Sequence, residues 1–276
     1  MRRDVLELRE FYSTRLGLAA REMVARKVWE TWGDASGLDL LGLGYATPYL
    51  EMWRPTARRA LAAMPAQQGV EVWPADGRIA ASLIDETACP FPNAMFDRVL
   101  VVHALEESVD PHAVLQEVWR VLAPSGRVVI AVACRRGLWS GAESTPFGHG
   151  RAYTRRQLEA LVREAELEPT AWSRAVYLPP ANLFAPWAEI WEQAGSRLWP
   201  PFAGVLLLEA VKQTFAVKAK AVRARARVLA PALQPAGAPA RDSSVPRPRG
   251  ALIGPLSRAG PPWPPSGRGS APPFRP

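Results

Sequence analysis

The sequence predicts an α/β protein built on a doubly wound, mostly parallel, seven-stranded sheet with helices on both faces. Several segments are apolar on nearly every residue, which is typical of strands buried on both faces. They alternate with stretches in which apolar residues recur every three or four positions, as in amphipathic helices. Strands that alternate with helices along a chain indicate parallel pairing through helical crossovers.

The first half of the chain supplies four of these strands. Residues 5–32 predict one long helix, because their apolar side chains keep three- and four-residue steps throughout. Residues 37–41 predict the first strand, which leads into a glycine loop and a short helix over 48–54. Apolar runs then predict three further strands, at 58–64, 78–84 and 96–105.

The second half supplies the remaining elements. Pro111 stands near the first turn of a periodic stretch and predicts a helix over 111–122. Thr154 is a suitable N-cap for a helix over 154–167. The other predicted elements are strands at 126–134, 170–178 and 202–215 and a helix at 186–198. In that last helix, the four-residue spacing of Trp187 and Trp191 favours packing on the sheet over an aromatic cradle for a substrate.

The net charge of +8 comes entirely from the end of the chain. Residues 217–276 contain eleven Lys and Arg and one acid, whereas residues 1–216 contain 23 basic and 25 acidic groups. Thirteen prolines lie among the last 46 residues. We therefore expect a folded domain over 1–216 and a basic, proline-rich, disordered tail over 217–276, which is the one part suited to nucleic acid.

The remaining composition predicts a soluble, cytoplasmic protein with no membrane partner. Cys89 and Cys134 lack metal-ligand spacing and suit small fillers of a reduced core. No metal site is predicted. The first ten residues are charged throughout, unlike a signal peptide, and the longest apolar run is too short to span a bilayer.

The stretch GLDLLGLGYATPYL, residues 37–50, has the form of a cofactor loop that follows a buried strand. Gly42, Gly44 and Ala46 are small enough to let the backbone approach a ligand. A carboxylate is expected two residues before Gly42, where Leu40 stands instead. Asp39 is shifted by one residue, which in a strand turns its side chain to the opposite face.

Residues 85–132 contain a second distinctive succession. Asp85 precedes the turn Cys89-Pro90-Phe91, Phe96-Asp97 begins a strand, and the following helix ends in RVLAPSG, residues 120–126. This succession resembles the class I S-adenosylmethionine-dependent methyltransferases of the small-molecule, type 11-like group, and the spacing of Glu117 and Arg120 also fits. With the glycine loop, the resemblance covers roughly residues 35–135, and it implies a Rossmann-like methyltransferase fold.

The resemblance also implies roles for individual residues. Gly42, Gly44, Tyr45 and Ala46 would pass close to the methionine and ribose part of S-adenosylmethionine. Asp85 would accept a hydrogen bond from the adenine amino group, unless it is simply a solvated loop residue. The backbone of Glu86 would meet the edge of the adenine ring, and Val102 would border the methyl group.

Two histidines and one tyrosine are further candidates. His103 would orient or deprotonate the methyl acceptor, or would merely be hydrogen-bonded at the end of its strand. His149 lies in a Gly-flanked loop that would cover the pocket or cap the loop itself. Tyr12 would close over the cofactor or belong to the core.

Two departures from the family pattern predict weakened cofactor binding. Leu40 replaces the acid of the glycine motif, and the end of the second strand offers Gln67 and Gln68 where an acid for the ribose is expected. Each lost charge-assisted hydrogen bond removes about 1.5–3 kcal/mol.

The resemblance implies an enzyme that transfers a methyl group from S-adenosylmethionine to a small-molecule acceptor. An alternative is a non-catalytic relative that keeps the fold as a binding or regulatory protein. A nicotinamide-dependent oxidoreductase is a weaker hypothesis, because the loop lacks the third glycine and the later acid of that fingerprint.

Overall fold

The computed structural model describes residues 2–213, which fold around one seven-stranded sheet. The strands are β1 (Asp39–Gly44), β2 (Arg59–Pro65), β3 (Ala81–Ile84), β4 (Phe96–Val102), β5 (Leu122–Ala133), β6 (Leu167–Ala175) and β7 (Val205–Lys212). The α-helices are α1 (Val5–Ser13), α2 (Arg15–Trp32), α3 (Thr47–Leu50), α4 (Pro111–Val121), α5 (Arg155–Glu164) and α6 (Ala188–Leu198).

The strand order is β3-β2-β1-β4-β5-β7-β6. Strands β1 to β5 pair in parallel, and β7 runs antiparallel to both β5 and β6. The order reverses at β1, which lies between β2 and β4. In an open sheet of this kind the ligand crevice lies beyond the carboxyl ends of the strands at that reversal.

Strand β1 is buried on both faces, as its apolar sequence predicts. All six of its residues are buried. Leu40 belongs to one hydrophobic cluster, while Leu41 and Leu43 belong to another. Because successive side chains of a strand point to opposite faces, these two clusters are the two helix-covered sides of the sheet. The predicted doubly wound fold is therefore confirmed.

The predicted single helix over residues 5–32 is wrong. The chain breaks at Thr14, whose backbone is extended (φ −73°, ψ 159°) and whose side chain accepts a hydrogen bond from the N–H of Gly17. The break turns α1 away from the axis of α2, and a Cβ at position 17 would lie 2.0 Å from the carbonyl oxygen of Phe11. The apolar periodicity continues across the break, so the sequence pattern did not reveal it.

Several boundaries also differ from expectation. The helix after the glycine loop, α3, ends at Leu50, because the chain turns toward β2 there. Strand β5 begins at Leu122, which pairs with Phe96 before the register shifts. Strand β6 begins at Leu167, directly after α5.

Within residues 2–213, no helix is long and apolar enough to cross a membrane. Cys89 and Cys134 are both buried and unpaired, as small core fillers would be. The predicted tail over 217–276 lies outside the described residues.

Candidate functional site

The glycine loop lies against the end of β4, at the reversal of strand order. Gly44 has φ +81°, and a Cβ there would lie 2.2 Å from the carbonyl oxygen of Val102. The N–H of Tyr45 donates to that same oxygen at 2.8 Å. A side chain at position 44 is therefore excluded by both backbone conformation and space. Gly42 lies close to α3, since a Cβ there would be 2.7 Å from Cδ1 of Leu50.

Leu40, at the position where the motif acid is expected, and Asp39 beside it both have structural roles. Leu40 is completely buried in an apolar cluster. Asp39 lies at the other end of β1, where its carboxylate accepts two hydrogen bonds from Arg58, at 3.0 and 2.7 Å. Those hydrogen bonds lower the pKa of Asp39. Its backbone N–H donates to Asp97, so Asp39 fixes the amino end of β1, at the opposite end of the strand from the glycine loop.

Asp85 follows β3 and faces an open cavity. Its Oδ1 accepts hydrogen bonds from the N–H of Thr87 at 2.9 Å and from the Thr87 hydroxyl at 2.7 Å. These bonds lower the pKa of Asp85, so the carboxylate is ionised at neutral pH. The cavity has a volume of about 550 Å³ and is lined by Arg2, residues 65–67, residues 84–87, Val109, Asp110 and Ala113.

The turn after Asp85 is held by an ion pair on α4. Arg120 donates to Glu117 and to the carbonyl oxygens of Cys89 (2.8 Å) and Phe91 (2.7 Å). The N–H of Cys89 donates to Glu117 at 2.8 Å. The three-residue spacing of Glu117 and Arg120 thus has a structural purpose: it fixes the loop that carries Asp85.

The N-terminal segment, residues 2–12, covers the rest of this edge of the sheet. Arg2 donates two hydrogen bonds to Glu86, at 2.6 and 3.0 Å, and one to the carbonyl oxygen of Ala104, at 3.0 Å. Its side chain is only 2% exposed. The N–H of Val5 donates to the carbonyl oxygen of Gln68 at 2.7 Å. The segment therefore contacts the ends of β2, β3 and β4.

An aromatic cluster joins α1 to the glycine loop. Tyr12 stacks on Tyr45 with ring centroids 5.6 Å apart, and its hydroxyl lies 2.8 Å from both the Tyr49 hydroxyl and Nε2 of His103. The ring of Phe147 lies 4.6 Å from that of His103. Burial lowers the pKa of His103 to about 3, so this imidazole is neutral at physiological pH.

The structure divides the sequence-predicted residues into three groups. Six are buried around the glycine loop and the end of β4: Gly42, Gly44, Tyr45, Ala46, Val102 and His103. Asp85 and Glu86 lie at the neighbouring open cavity. His149 lies apart from both, where its Nε2 contacts the guanidinium of Arg3 and the carbonyl oxygen of Glu143.

Sequence reasoning missed Glu71, the first acid after β2. Its carboxylate accepts hydrogen bonds from the Thr47 hydroxyl at 2.6 Å and the Tyr45 hydroxyl at 3.2 Å, directly beside the glycine loop. A cavity of about 320 Å³ adjoins it and is also lined by Arg9 and Arg21. The sequence pattern predicts this acid at the end of β2. In the structure, the loop after β2 brings Glu71, six residues beyond Pro65, back to the glycine loop.

Glu106 was also missed. It is 6% exposed, and its Oε1 accepts a hydrogen bond from the N–H of Ala133 at 3.2 Å. Burial raises its pKa to about 7. Glu106 lies four residues beyond the end of β4 and belongs to no recognisable sequence motif, so the sequence did not identify it.

Comparisons with known proteins agree with this geometry. Residues 40–130 match the family described as a methyltransferase domain. A stretch of 96 residues is 34% identical to the demethylmenaquinone methyltransferase of Thermus thermophilus. That stretch covers 35% of this chain and only 37% of the relative's length.

Solved structures share the fold at low identity. The putative methyltransferase complexed with Haloferax volcanii Trm112 superimposes with a TM-score of 0.55 at 18% identity, covering 77% of this chain and all of the other. A possible histamine N-methyltransferase from Thermotoga maritima gives 0.52 at 14%, with 76% and 96% covered. The [4+2]-cyclase SpnF gives 0.51 at 20%, with 69% and 80% covered. At such identities these structures show the fold alone.

The glycine loop lies where the strand order reverses, and the turn that follows β3 has an acid at its start. The matched domain spans both features, from β1 into β5. Together with the strand order, the match shows a Rossmann-like methyltransferase fold in which residues 40–130 are similar to a methyltransferase domain.

Proposed function

We propose that this protein binds S-adenosylmethionine at the carboxyl ends of β1 to β4 and transfers its methyl group to a small-molecule acceptor. The observation that carries the proposal is the placement of the glycine loop beside the open cavity of Asp85, at the reversal of strand order. The cavity volume of about 550 Å³ lies within the range of small-ligand sites.

The adenine half of the cofactor would occupy the open cavity beside Asp85. Oδ1 of Asp85 holds the turn to Thr87, which leaves Oδ2 to accept a hydrogen bond from an amino group. The backbone of Glu86 borders the same space. Since the Glu86 side chain is held by Arg2, its carboxylate faces the N-terminal segment in this conformation.

The ribose and methionine half requires α1 to move. Tyr12 lies on Tyr45 and His103, so the backbone around Gly44 is covered. Once α1 is displaced, the two glycines would allow close approach of a ligand to the loop. Glu71 is the carboxylate beside that loop and would accept hydrogen bonds from ribose hydroxyls, in place of the acid missing at the end of β2.

The bound cofactor supplies an already activated methyl group, so the protein's task is to align the acceptor and exclude water. His103 is neutral and a weak base, which favours orienting the acceptor over deprotonating it. His149 lies beside Arg3 and would move with the N-terminal segment. A cavity of about 570 Å³ on the other side of α1, lined in part by Phe11, Leu16 and Asn182, would admit the acceptor.

Calorimetric titration with S-adenosylhomocysteine tests the cofactor site. Asp85→Ala should weaken binding by about 1.5–3 kcal/mol, the contribution of a hydrogen bond to a charged group. Asp34→Ala is the matched control, because Asp34 makes the same turn with Ser36, at 3.1 and 2.7 Å, far from the cavity. Equal affinities for both variants would remove Asp85 from the site, and no binding by the wild-type protein would favour the non-catalytic alternative.

A further inference from the structure

The segment between β6 and β7 exposes an unusual amount of apolar surface. Six large apolar side chains within twenty residues are each 50–71% exposed: Leu183, Trp187, Ile190, Leu198, Trp199 and Phe202. Single exposed apolar residues are ordinary on protein surfaces, but a contiguous patch marks an interaction site. We call these six side chains the α6 patch.

Two of the six side chains lie on α6 itself, and the other four lie on the segments directly before and after it. At 100° per residue, Ile190 and Leu198 point within about 80° of each other on α6, and Trp187 immediately precedes the helix. The polar side chains of Glu189, Gln193, Ser196 and Arg197 occupy a different sector. Helix α6 therefore has three sides, one against the protein, one polar and one apolar and exposed.

The inward side of α6 is fixed by specific contacts, so the patch cannot turn inward. Glu192 is 8% exposed and accepts hydrogen bonds from the N–H groups of Val176, at 3.3 Å, and Tyr177, at 2.9 Å. A Cβ at Gly195 would lie 2.3 Å from the Cβ of Tyr177. The rings of Phe184 and Trp191 meet edge to face with centroids 5.7 Å apart.

These contacts correct the sequence-based interpretation of the two tryptophans. Trp191 is partly buried and packs against the hydrophobic core, whereas the prediction for Trp187 is wrong, because its side chain is 50% exposed. The break between the 3₁₀ turn that ends at Trp187 and the α-helix that begins at Ala188 lies between them. The four-residue spacing therefore wrongly predicted that both tryptophans face the protein.

We propose that the α6 patch is a membrane-contact surface that docks on anionic phospholipid bilayers. Trp and Phe are the side chains that partition to the boundary of headgroups and acyl chains, and Leu and Ile beside them would enter the apolar layer. Of the charged residues on α6, Glu192 is buried, Glu189 is paired with Arg26 at 2.9 Å, and Arg197 adjoins Leu198 of the patch.

Charge complementarity favours an anionic bilayer over a neutral surface. A short apolar patch gives weak, reversible binding, and stable attachment takes a second attraction. Residues 217–276 supply one, since their eleven Lys and Arg against one acid give +10, whereas the remainder of the chain is −2. The contact would be peripheral, and so it needs no membrane-spanning helix.

Vesicle co-sedimentation of the full-length protein tests this proposal. Wild-type protein should pellet with vesicles of phosphatidylcholine and phosphatidylglycerol (about 7:3) and bind pure phosphatidylcholine more weakly. The double variant Ile190→Ser, Leu198→Ser should lose about tenfold or more in partition coefficient, because two aliphatic side chains no longer enter the bilayer. The matched control Ile79→Ser, Leu138→Ser removes an isoleucine and a leucine that are 61% and 57% exposed elsewhere, and should bind like wild type.

Three results would overturn the proposal. One is that wild-type protein does not bind the anionic vesicles. Another is that the α6 double variant, folded by circular dichroism, binds as tightly as the control, which would assign all binding to the basic residues 217–276. The third is a wild-type dimer in light scattering that the α6 double variant converts to a monomer, since the patch would then be an interface between copies of this chain.

Discussion

Arg2 ties the N-terminal segment to Glu86 beside the proposed cofactor cavity, so its removal should make cofactor binding tighter. The side chain makes a bidentate ion pair with Glu86 and a third hydrogen bond to Ala104, while only 2% exposed. A hydrogen bond to a charged group contributes about 1.5–3 kcal/mol. We call the conformation in which residues 2–12 cover the crevice the closed form. Arg2→Ala should destabilise this closed form by about that amount.

The expected change in affinity follows from the population of the open form. When a binding-competent state is sparsely populated, the apparent dissociation constant is the intrinsic one divided by its fraction. A loss of 1.5–3 kcal/mol from the closed form therefore raises the open fraction, and the affinity for S-adenosylhomocysteine, by about 10- to 150-fold. Arg15→Ala is the control, because Arg15 is an exposed arginine at the start of α2.

Calorimetry with S-adenosylhomocysteine and stopped-flow association rates would measure this effect. We expect tighter binding and faster association for Arg2→Ala, and wild-type values for Arg15→Ala. Weaker binding by Arg2→Ala would refute the reasoning, because it would make Arg2 a ligand of the cofactor and not a latch of the closed form. Unchanged binding would refute it too, since the segment would then not compete with the cofactor.

Three further predictions concern the strand ends. Leu40→Asp should destabilise the fold by about 3–5 kcal/mol in urea unfolding, because Leu40 is fully buried among apolar side chains and the new charge would have no partner; tighter S-adenosylhomocysteine binding without loss of stability would contradict this. Gly44→Ala should cost at least about 1–3 kcal/mol by thermal unfolding, since φ is +81° and the carbonyl of Val102 occupies the space, and a wild-type melting temperature would show that the loop relaxes freely. Glu106→Gln should change the pH dependence of stability: the native pKa of about 7 exceeds the unfolded value, so ionisation of Glu106 lowers the wild-type free energy of unfolding by about 1.4 kcal/mol per pH unit between about pH 4.5 and 7. The opposite contribution of His103 cancels in the comparison of variant with wild type, and parallel pH profiles would show that Glu106 ionises normally.

Local patterns were sufficient for the sheet and its order of elements. Strands β1, β2 and β4 are apolar because helices cover both faces, and this requirement is visible in each segment by itself. The turn after Asp85 was identified through the family resemblance, with which the spacing of Glu117 and Arg120 also fits, and the structure shows that this pair holds the turn. Contacts between residues close in sequence produce local patterns that can be recognised in the sequence.

The break between α1 and α2 at Thr14 produced no such local pattern. The apolar face of α1 continues the periodicity of α2, since both helices bury that face, although against different partners. Only the folded chain shows that α1 turns over the crevice and brings Arg2 to Glu86, 84 residues away. The same holds for Glu71, which reaches Thr47 from a loop and not from a strand end.

The sequence by itself determined the fold class and the order of the elements, because each depends on patterns within single elements. The tertiary structure decided which of those residues are open to a ligand. Gly44 and His103 are covered by α1, whereas Asp85 faces a cavity, and this difference depends on contacts between segments far apart in the chain. Trp187 shows the same division, since its helical spacing was local but its exposure depends on how Glu192 and Gly195 anchor α6.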